Sequence, residues 1–586
     1  MSPTDRARSR RALIRGAALA PLATAIGWGA WRLALSPRPQ PTLLSEGVVV
    51  GAGGVVRPLP PGAHCRFEPG TRVPAADPAA EAEGAAPVRW DYTAEDPLND
   101  MRGMRLSRAA ADPSLLTDDP YHLAPSGGSE TIARPSPEEL ALPAQTTAVL
   151  KNGARLYVDH AHPEYSAPEA LGARDALLWD RAGEVVARRV MERLAESGEA
   201  PIVLVKNNTD GKGAAYGCHE NYLVRRDLAF DDLVQALIPF LVTRPVLVGA
   251  GRVGIGQRSQ RPGFQISQRA DYVETDIGLQ TTFNRPIVNT RDEPHADASR
   301  FRRLHVINGD ANRFDVPDYL KIATTDLLLW YLERASARGR RLGALGRVRL
   351  TGDPVEEHWA VSHDTALAHA LATACGPMTA LEIQRAHLAA VVGALCEDYG
   401  GVEPGHVGEE TAIALWDETL SVLEGYAAAQ GTPGGPGATA RAAALVEWIA
   451  KKQLCDALRM RTNAGWDDPR LTALDIRWAD LRAGHGIADR LIAAGRTRRL
   501  IADAEAEAAA GDPPPGTRAA IRGAAVARDG AVVAASWTSL VLDLPDRERL
   551  LRLALPDDVR ADPEQVADML DQITITIGTR RRSGGD

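Results

Sequence analysis

The chemistry-bearing residues begin at Asn152-Gly153-Ala154-Arg155-Leu156-Tyr157-Val158-Asp159, a segment that turns and then alternates. Asn-Gly marks a tight turn, and the alternation predicts a strand. On such a strand Leu156 and Val158 face one side, and Arg155, Tyr157 and Asp159 face the other. A cation, a phenol and a carboxylate on one face suit phosphate and Mg²⁺ binding. A guanidinium pairs with phosphate oxygens, and a hard cation takes oxygen ligands. Glu164 adds a second carboxylate. The competing reading is a solvated polar strand face. His160 and His162 raise a transition-metal alternative. If the strand continued, both would face away from Asp159, which disfavours zinc.

Further polar clusters follow. Lys206–Tyr222 reads as a strand running into a Gly-rich loop and then into His219, Glu220 and Asn221. Such a loop brings backbone amides close to a ligand, but it lacks the spacing of a GxxxxGK[ST] phosphate loop. Gly249-Ala-Gly-Arg-Val-Gly254 matches G-x-G-x-x-G after the apolar Val246–Val248. The residues after it, through Pro262-Gly263, cannot open the helix that a dinucleotide site needs, so that reading is rejected. Gln265–Tyr272 alternates, with Gln265, Ser267 and Arg269 on one face. Asn289–Asp297 packs five ionisable residues into nine positions, and Arg303–Asp310 follows. Together these predict a sheet whose concave polar face holds a nucleotide and metal ions.

The elements that must position these groups are legible in outline. Ile202–Val205, Phe264–Ile266 and Leu304–Ile307 read as strands, and 175–197 and 318–335 as helices. Gly431–Gly437 is a break flanked by helices. The upstream helix carries Ile413, Trp416, Leu420 and Leu423 at core spacing. The chain has 586 residues, 45% hydrophobic and 24% charged, enough for one large core and a smaller domain. A net charge of −9 disfavours a nucleic-acid surface. Five scattered cysteines, without a CxxC pair, argue against a disulfide framework or structural zinc. Ser9-Arg10-Arg11-Ala12-Leu13-Ile14 resembles a twin-arginine export signal, and an apolar run follows from Gly16 to Trp31. That run is shorter than a spanning helix and is interrupted by Arg32. A nucleotide-type cleft needs an intracellular supply, so a soluble, cytoplasmic protein with no stable membrane association is expected, with export as the alternative.

The motifs together resemble the Pup ligase/depupylase family, related to glutamine synthetases and carboxylate-amine ligases. NGARLYVD (152–159), HPEY (162–165), KNN (206–208), YGCHENYL (216–223), SQRADY (267–272), NTRDEPHAD (289–297) and RLHVINGDAN (303–312) occur in family order. Within the family the depupylase branch fits better. Asp159-His-Ala-His162 has that branch's spacing. Gly211-Lys-Gly213, Gly254-Ile-Gly256, Asp276-Ile-Gly-Leu279, and Arg89-Trp-Asp-Tyr92 followed by a long irregular loop also resemble it. Toward the C-terminus Gly465-Trp-Asp467, Thr517-Arg518, Arg522-Gly523 and Ala535-Ser-Trp537 match as well.

The resemblance implies an α+β fold: a glutamine synthetase-like curved antiparallel sheet packed on helices, with a small C-terminal domain. The implied organisation is an irregular region 1–88, a catalytic domain 89–490 with a depupylase-type loop at about 104–148, and a C-terminal part 491–586. It implies Asp159 as catalytic nucleophile or base, Tyr157 and Glu164 at Mg²⁺ positions, and Arg155 and Trp537 at ATP positions. Arg269, His219 and His295 would line the nucleotide cleft. The implied cofactors are ATP (or ADP plus phosphate) and Mg²⁺. The implied partners are Pup and pupylated proteins, met as a monomer. The implied activity is deamidation of Pup's C-terminal glutamine and cleavage of the Pup–lysine isopeptide bond. The family's N-terminal Gly-x-Glu-x-Glu strand is not found; Ser45-Glu46 through Gly53 is nearest, with one glutamate. That departure keeps two alternatives: a degenerate paralogue that binds nucleotide or Pup, and a phosphotransferase or ligase of the same superfamily.

Overall fold

The computed structural model describes residues 88–578 apart from short stretches, the longest being 112–130, 135–146 and 400–406. The export-like start, the segment Ser45–Gly53, Cys65, His160, most of the 104–148 loop and the C-terminal Gly-Gly-Asp lie outside the described residues.

In chain order, β1 (Arg89–Trp90) and β2 (Thr131–Ala133) precede β3 (Thr147–Val149), β4 (Arg155–Asp159) and β5 (His162–Ser166). Helix α1 (Ala173–Glu196) follows, then β6 (Glu220–Arg225) and helix α2 (Phe230–Thr243). Next come β7 (Arg252–Gly254), β8 (Gly263–Gln265), β9 (Thr275–Gly278), β10 (Pro286–Asn289), β11 (Phe301–Val306) and helix α3 (Asp315–Ala337). Helices dominate as far as α4 (Arg518–Val526), and β12 (Val532–Ala535), β13 (Ser539–Leu542) and β14 (Arg549–Ala554) come last before a final helix.

The fold is α+β. Pairing is mostly antiparallel. β3-β4-β5 is an antiparallel sheet. β9-β10-β11-β6 has one parallel pair, β9 with β10. β1-β12-β13-β14-β2 also has one, β1 with β12. This last sheet combines residues 89–90 and 131–133 with the C-terminal strands, and the helix Ile487–Ala493 runs across position 490. The predicted helices 175–197 and 318–335 are α1 and α3, each slightly longer than expected at its start.

A large hydrophobic core joins α1, α2, α3 and the later helices around Phe240, Trp416, Trp448 and Trp478. Trp416, Leu420 and Leu423 are fully buried on Val407–Ala429, as their spacing predicts. Charges inside this core are paired. Buried Glu447 accepts from Arg313 N (2.8 Å), Phe314 N (3.1 Å) and Trp478 Nε1 (2.7 Å), which satisfies donors at the start of α3.

Three expectations need correction. Ile202–Val205 is not a strand: Val205 makes only an isolated bridge, to Asp480, because this stretch has a single short loop beside it instead of a strand partner. The alternation from Gln265 does not continue past β8. Buried Asp310 accepts from Gln268 N, Arg269 N and Ser267 Oγ, and those bonds bend the chain into a 3₁₀ turn at Ala270–Tyr272. The polar strands β4, β8 and β11 belong to three separate hydrogen-bonded sheets. The rejected dinucleotide motif forms the β7–β8 hairpin with no helix after it.

Candidate active site

The Asn152-Gly153 turn starts the site. Asn152 Oδ1 accepts from Ala154 N at 3.0 Å, and Gly153 sits at φ +79°, where a side chain is strained. β4 then alternates as expected, and the chain turns back after Asp159. The register places Tyr157 opposite Glu164 and Asp159 opposite His162. Opposed residues share a face, so Arg155, Tyr157, Asp159, His162 and Glu164 all lie on one side. The strand does not continue through the histidines, so His162 joins the face of Asp159 instead of opposing it. Asp159 is exposed at the tip, and the His162 ring packs on Tyr216 of the Gly-rich loop at 4.4 Å between centroids. The Tyr157 hydroxyl donates to Glu164 at 2.5 Å. Burial, then the Glu164 charge, push the phenol well above its usual range, so it stays protonated.

The inner end of β4 is aromatic. The Arg155 guanidinium lies 4.2 Å from both the Trp90 and Tyr157 ring centres and donates to Tyr92 Oη at 3.0 Å. Its Nε is buried with no hydrogen-bond partner. Trp90 meets Trp537 edge-on at 5.0 Å, and Arg522 stands 4.9 Å from Trp537 on its other contact. Arg155 and Trp537 are therefore gathered through Trp90, a residue the motif Arg89-Trp-Asp-Tyr92 contains but to which sequence reasoning assigned no role.

A second group is built on β6, β11 and the 3₁₀ turn. His219 meets His305 edge-on at 4.9 Å, and His305 Nδ1 is 2.8 Å from Asn221 Oδ1. Burial, and then Arg269, Arg291, Arg303 and Arg285, push His219 down to about 3, so it is neutral. His305 and His295 are held low by burial and by Arg303. His295 occupies a left-handed backbone position, φ +48°. Arg269 is anchored on Ile307 O at 3.2 and 3.0 Å, while its Nη1 is buried and unpartnered. Burial and then Arg285 lower Arg269 to about 10. Glu293 is the nearby carboxylate, bonded to Arg303 at 2.9 Å. Glu95 lies within electrostatic reach of both Arg155 and Arg303, which links the two groups. Clustered guanidiniums around neutral imidazoles suit an anionic ligand.

Helix α4 locks the hairpin from behind. Largely buried Glu169 accepts from Arg518 Nε at 2.7 Å and Arg522 Nη2 at 2.5 Å, and Arg522 Nε donates to Gly153 O at 2.9 Å. Burial pushes Glu169 up, but Arg522 and Arg518 outweigh it and bring it down to about 2.

The fit to Mg²⁺ is limited to part of a shell. Among the described residues no three His, Cys, Asp or Glu side chains gather as a metal cage. Glu164 and Asp159 share one face, which is the donor set of a metal that arrives with phosphates, since Mg²⁺ is commonly held by one or two carboxylates plus ligand oxygens. The His162 ring lies tilted against Tyr216. Among the described residues, no helix is long and apolar enough to cross a membrane.

The family model "Pup-ligase protein" matches residues 65–541. A depupylase of Acidothermus cellulolyticus is 41% identical, covering 83% of this chain and 88% of that protein. A Pup deamidase/depupylase of Mycobacterium tuberculosis is 40% identical, covering 85% and 91%. Among solved structures, the Pup ligase PafA in complex with ADP superposes with a TM-score of 0.63 at 30% identity, covering 77% of this chain and 96% of that one.

Proposed function

This chain belongs to the Pup-ligase family, and from that premise we propose that it is an ATP- and Mg²⁺-dependent amidohydrolase that deamidates Pup and releases Pup from lysine side chains. The observation that carries the reading is the exposed Asp159 carboxylate at the tip of a hairpin whose same face holds Arg155, Tyr157 and Glu164. Asp159 either attacks the side-chain carbonyl of Pup's C-terminal residue or takes a proton from water that does so. In both cases water is consumed, the C–N bond breaks, and ammonia or the lysine amine leaves with the proton. Arg155, Trp537 and Arg269 hold the nucleotide, and the unpartnered Arg155 Nε and Arg269 Nη1 are donors for its phosphates. Glu164 would hold the metal. Mg²⁺ supplies neutralisation of phosphate charge and polarisation of an oxygen when bound. Glu169 and α4 keep the hairpin in place.

The test uses a pupylated protein with ATP and Mg²⁺. Wild type should release Pup, and Asp159→Asn should lower the rate by about 10³-fold or more, because an amide is neither nucleophile nor base. Both proteins should gain thermal stability with millimolar ATP, since a ligand of the folded state stabilises it. Equal cleavage by the two proteins removes Asp159 from the reaction. No stabilisation by ATP rejects the nucleotide site.

A further inference from the structure

Tyr272 is 4% exposed, and its hydroxyl is buried with no hydrogen-bond partner. Burying a phenol without a partner is costly, so such a group in a native fold calls for a ligand. Its position gives the ligand a direction. Tyr272 N donates to Arg269 O at 2.9 Å, closing the 3₁₀ turn, and in that geometry side chains three apart are eclipsed. Arg269 is the partner three residues back, and it too carries a buried unpartnered atom, Nη1. Its other nitrogens are committed to Ile307 O. Arg285 approaches from the loop before β10 and donates to Ala215 O at 3.2 Å, next to Tyr216 of the Gly-rich loop. Tyr272 lies within electrostatic reach of Arg269, Arg285 and Tyr216.

The charges already nearby are used elsewhere. Asp310 accepts from Ala250 N, Ser267 Oγ, Gln268 N and Arg269 N. Arg252, which stands 5.4 Å from the Tyr272 ring centre, bonds Asp271 and Gln265 at 3.3 Å. Glu274 lies within electrostatic reach of Arg285 and accepts from Arg285 N at 3.3 Å. One carboxylate against two guanidiniums and a phenol O–H leaves a donor set with excess positive charge, which matches an oxyanion and not a cation.

We infer that Tyr272 Oη, Arg269 Nη1 and Arg285 form an oxyanion pocket beside the Gly-rich loop. It takes the free C-terminal carboxylate of the substrate's last residue or a phosphate of the nucleotide. The first source rests on the proposed Pup activity, and the second does not.

Tyr272→Phe keeps the ring and removes one donor. In the full-length protein, four quantities are measured: the thermal midpoint, the affinity for ATP by calorimetry, and kcat/KM for Pup ending in glutamine with a free α-carboxylate and with an α-carboxamide. The ligand-free midpoint should hold or rise, because the substitution removes an unsatisfied buried hydroxyl. If the substrate carboxylate is the ligand, wild type prefers the free acid by about 10-fold, and the variant loses that preference with ATP affinity intact. If a phosphate is the ligand, the variant binds ATP about 10-fold more weakly and keeps the preference. Arg285→Gln should repeat whichever pattern appears. A Tyr272→Phe protein that matches wild type in both measurements overturns the pocket. Wild type without Pup activity, paired with an ATP loss in the variant, overturns the proposed function and leaves the pocket standing.

Discussion

His219 illustrates how burial and neighbouring charge decide what a residue does. Its imidazole is held at about 3 by burial and then by Arg269, Arg291, Arg303 and Arg285. A histidine depressed in this way is neutral when folded. The stability it contributes is present above its unfolded value of about 6.5 and is lost as pH falls toward the folded value. The expected result is a neutral His219 ring at pH 5 in imidazole NMR, with an upward shift when phosphate binds and offsets the arginines. A charged ring at pH 5 without ligand would show that the arginines do not converge on it. Arg155 is a second residue-scale case. Its guanidinium lies 4.2 Å from two aromatic ring centres, a contact that a point-charged ammonium makes poorly. Arg155→Lys should therefore weaken ATP binding by roughly 10-fold although the charge is kept. Calorimetry with unchanged affinity would remove Arg155 from the nucleotide site.

At the scale of elements, α4 sets the hairpin's position through the β3–β4 turn, by Arg522 on Gly153 O, and through Glu169 in the segment after β5. Its ion pairs are buried, with Arg522 fully enclosed, and a buried pair that loses one partner leaves an uncompensated charge. Glu169→Gln is expected to cost about 3–5 kcal/mol in denaturant unfolding. In wild type, the contribution of Glu169 is present above its unfolded value of about 4.3. It fades as pH falls from there through the folded value of about 2. The variant should accordingly lack that part of the acid sensitivity. A loss below about 1 kcal/mol would mean that the arginines find water or another partner. The backbones also come close: a Cβ on Gly153 would lie 2.7 Å from Ala519 O, and one on Gly523 would run into the Lys151 carbonyl. Gly523→Ala should destabilise by about 1–3 kcal/mol or more, read from the same unfolding curves. No change would show that α4 can shift without disturbing the hairpin.

For the whole molecule, the five-stranded sheet decides which parts depend on each other. β1 and β2 flank the C-terminal strands, Asp91 bonds Arg552 Nε at 3.0 Å and Ser539 Oγ at 3.0 Å, and Trp90 packs on Trp537. A fragment of residues 491–586 therefore lacks two strands of its own sheet as well as the Glu169 partner of α4. It is expected to show poorly dispersed amide resonances when expressed alone. Dispersed, protected resonances would establish it as an independent folding unit. The same sheet brings Trp537 to Arg155, so the candidate nucleotide contacts come from both ends of the described chain.

Much of this was legible in local sequence. The Asn152-Gly153 turn, the alternating β4, the buried face of Trp416, Leu420 and Leu423, and the rejected dinucleotide loop all depend on turn chemistry and side-chain periodicity, which act over a few residues. The family motifs singled out Asp159, Arg155, Glu164 and Trp537, and the first three share one face of the hairpin. Tertiary structure decided the rest. The pairing of Asp159 with His162 put that histidine on the Asp159 face, because reversing the chain changes which positions share a side. Asp310 bent the segment after Gln265 out of its alternation by collecting donors more than 40 residues away. Glu169 found Arg518 and Arg522 some 350 residues on. Period and turn type are properties of neighbours in sequence. Satisfying a buried charge or a free donor depends on which distant groups the fold brings within hydrogen-bond reach.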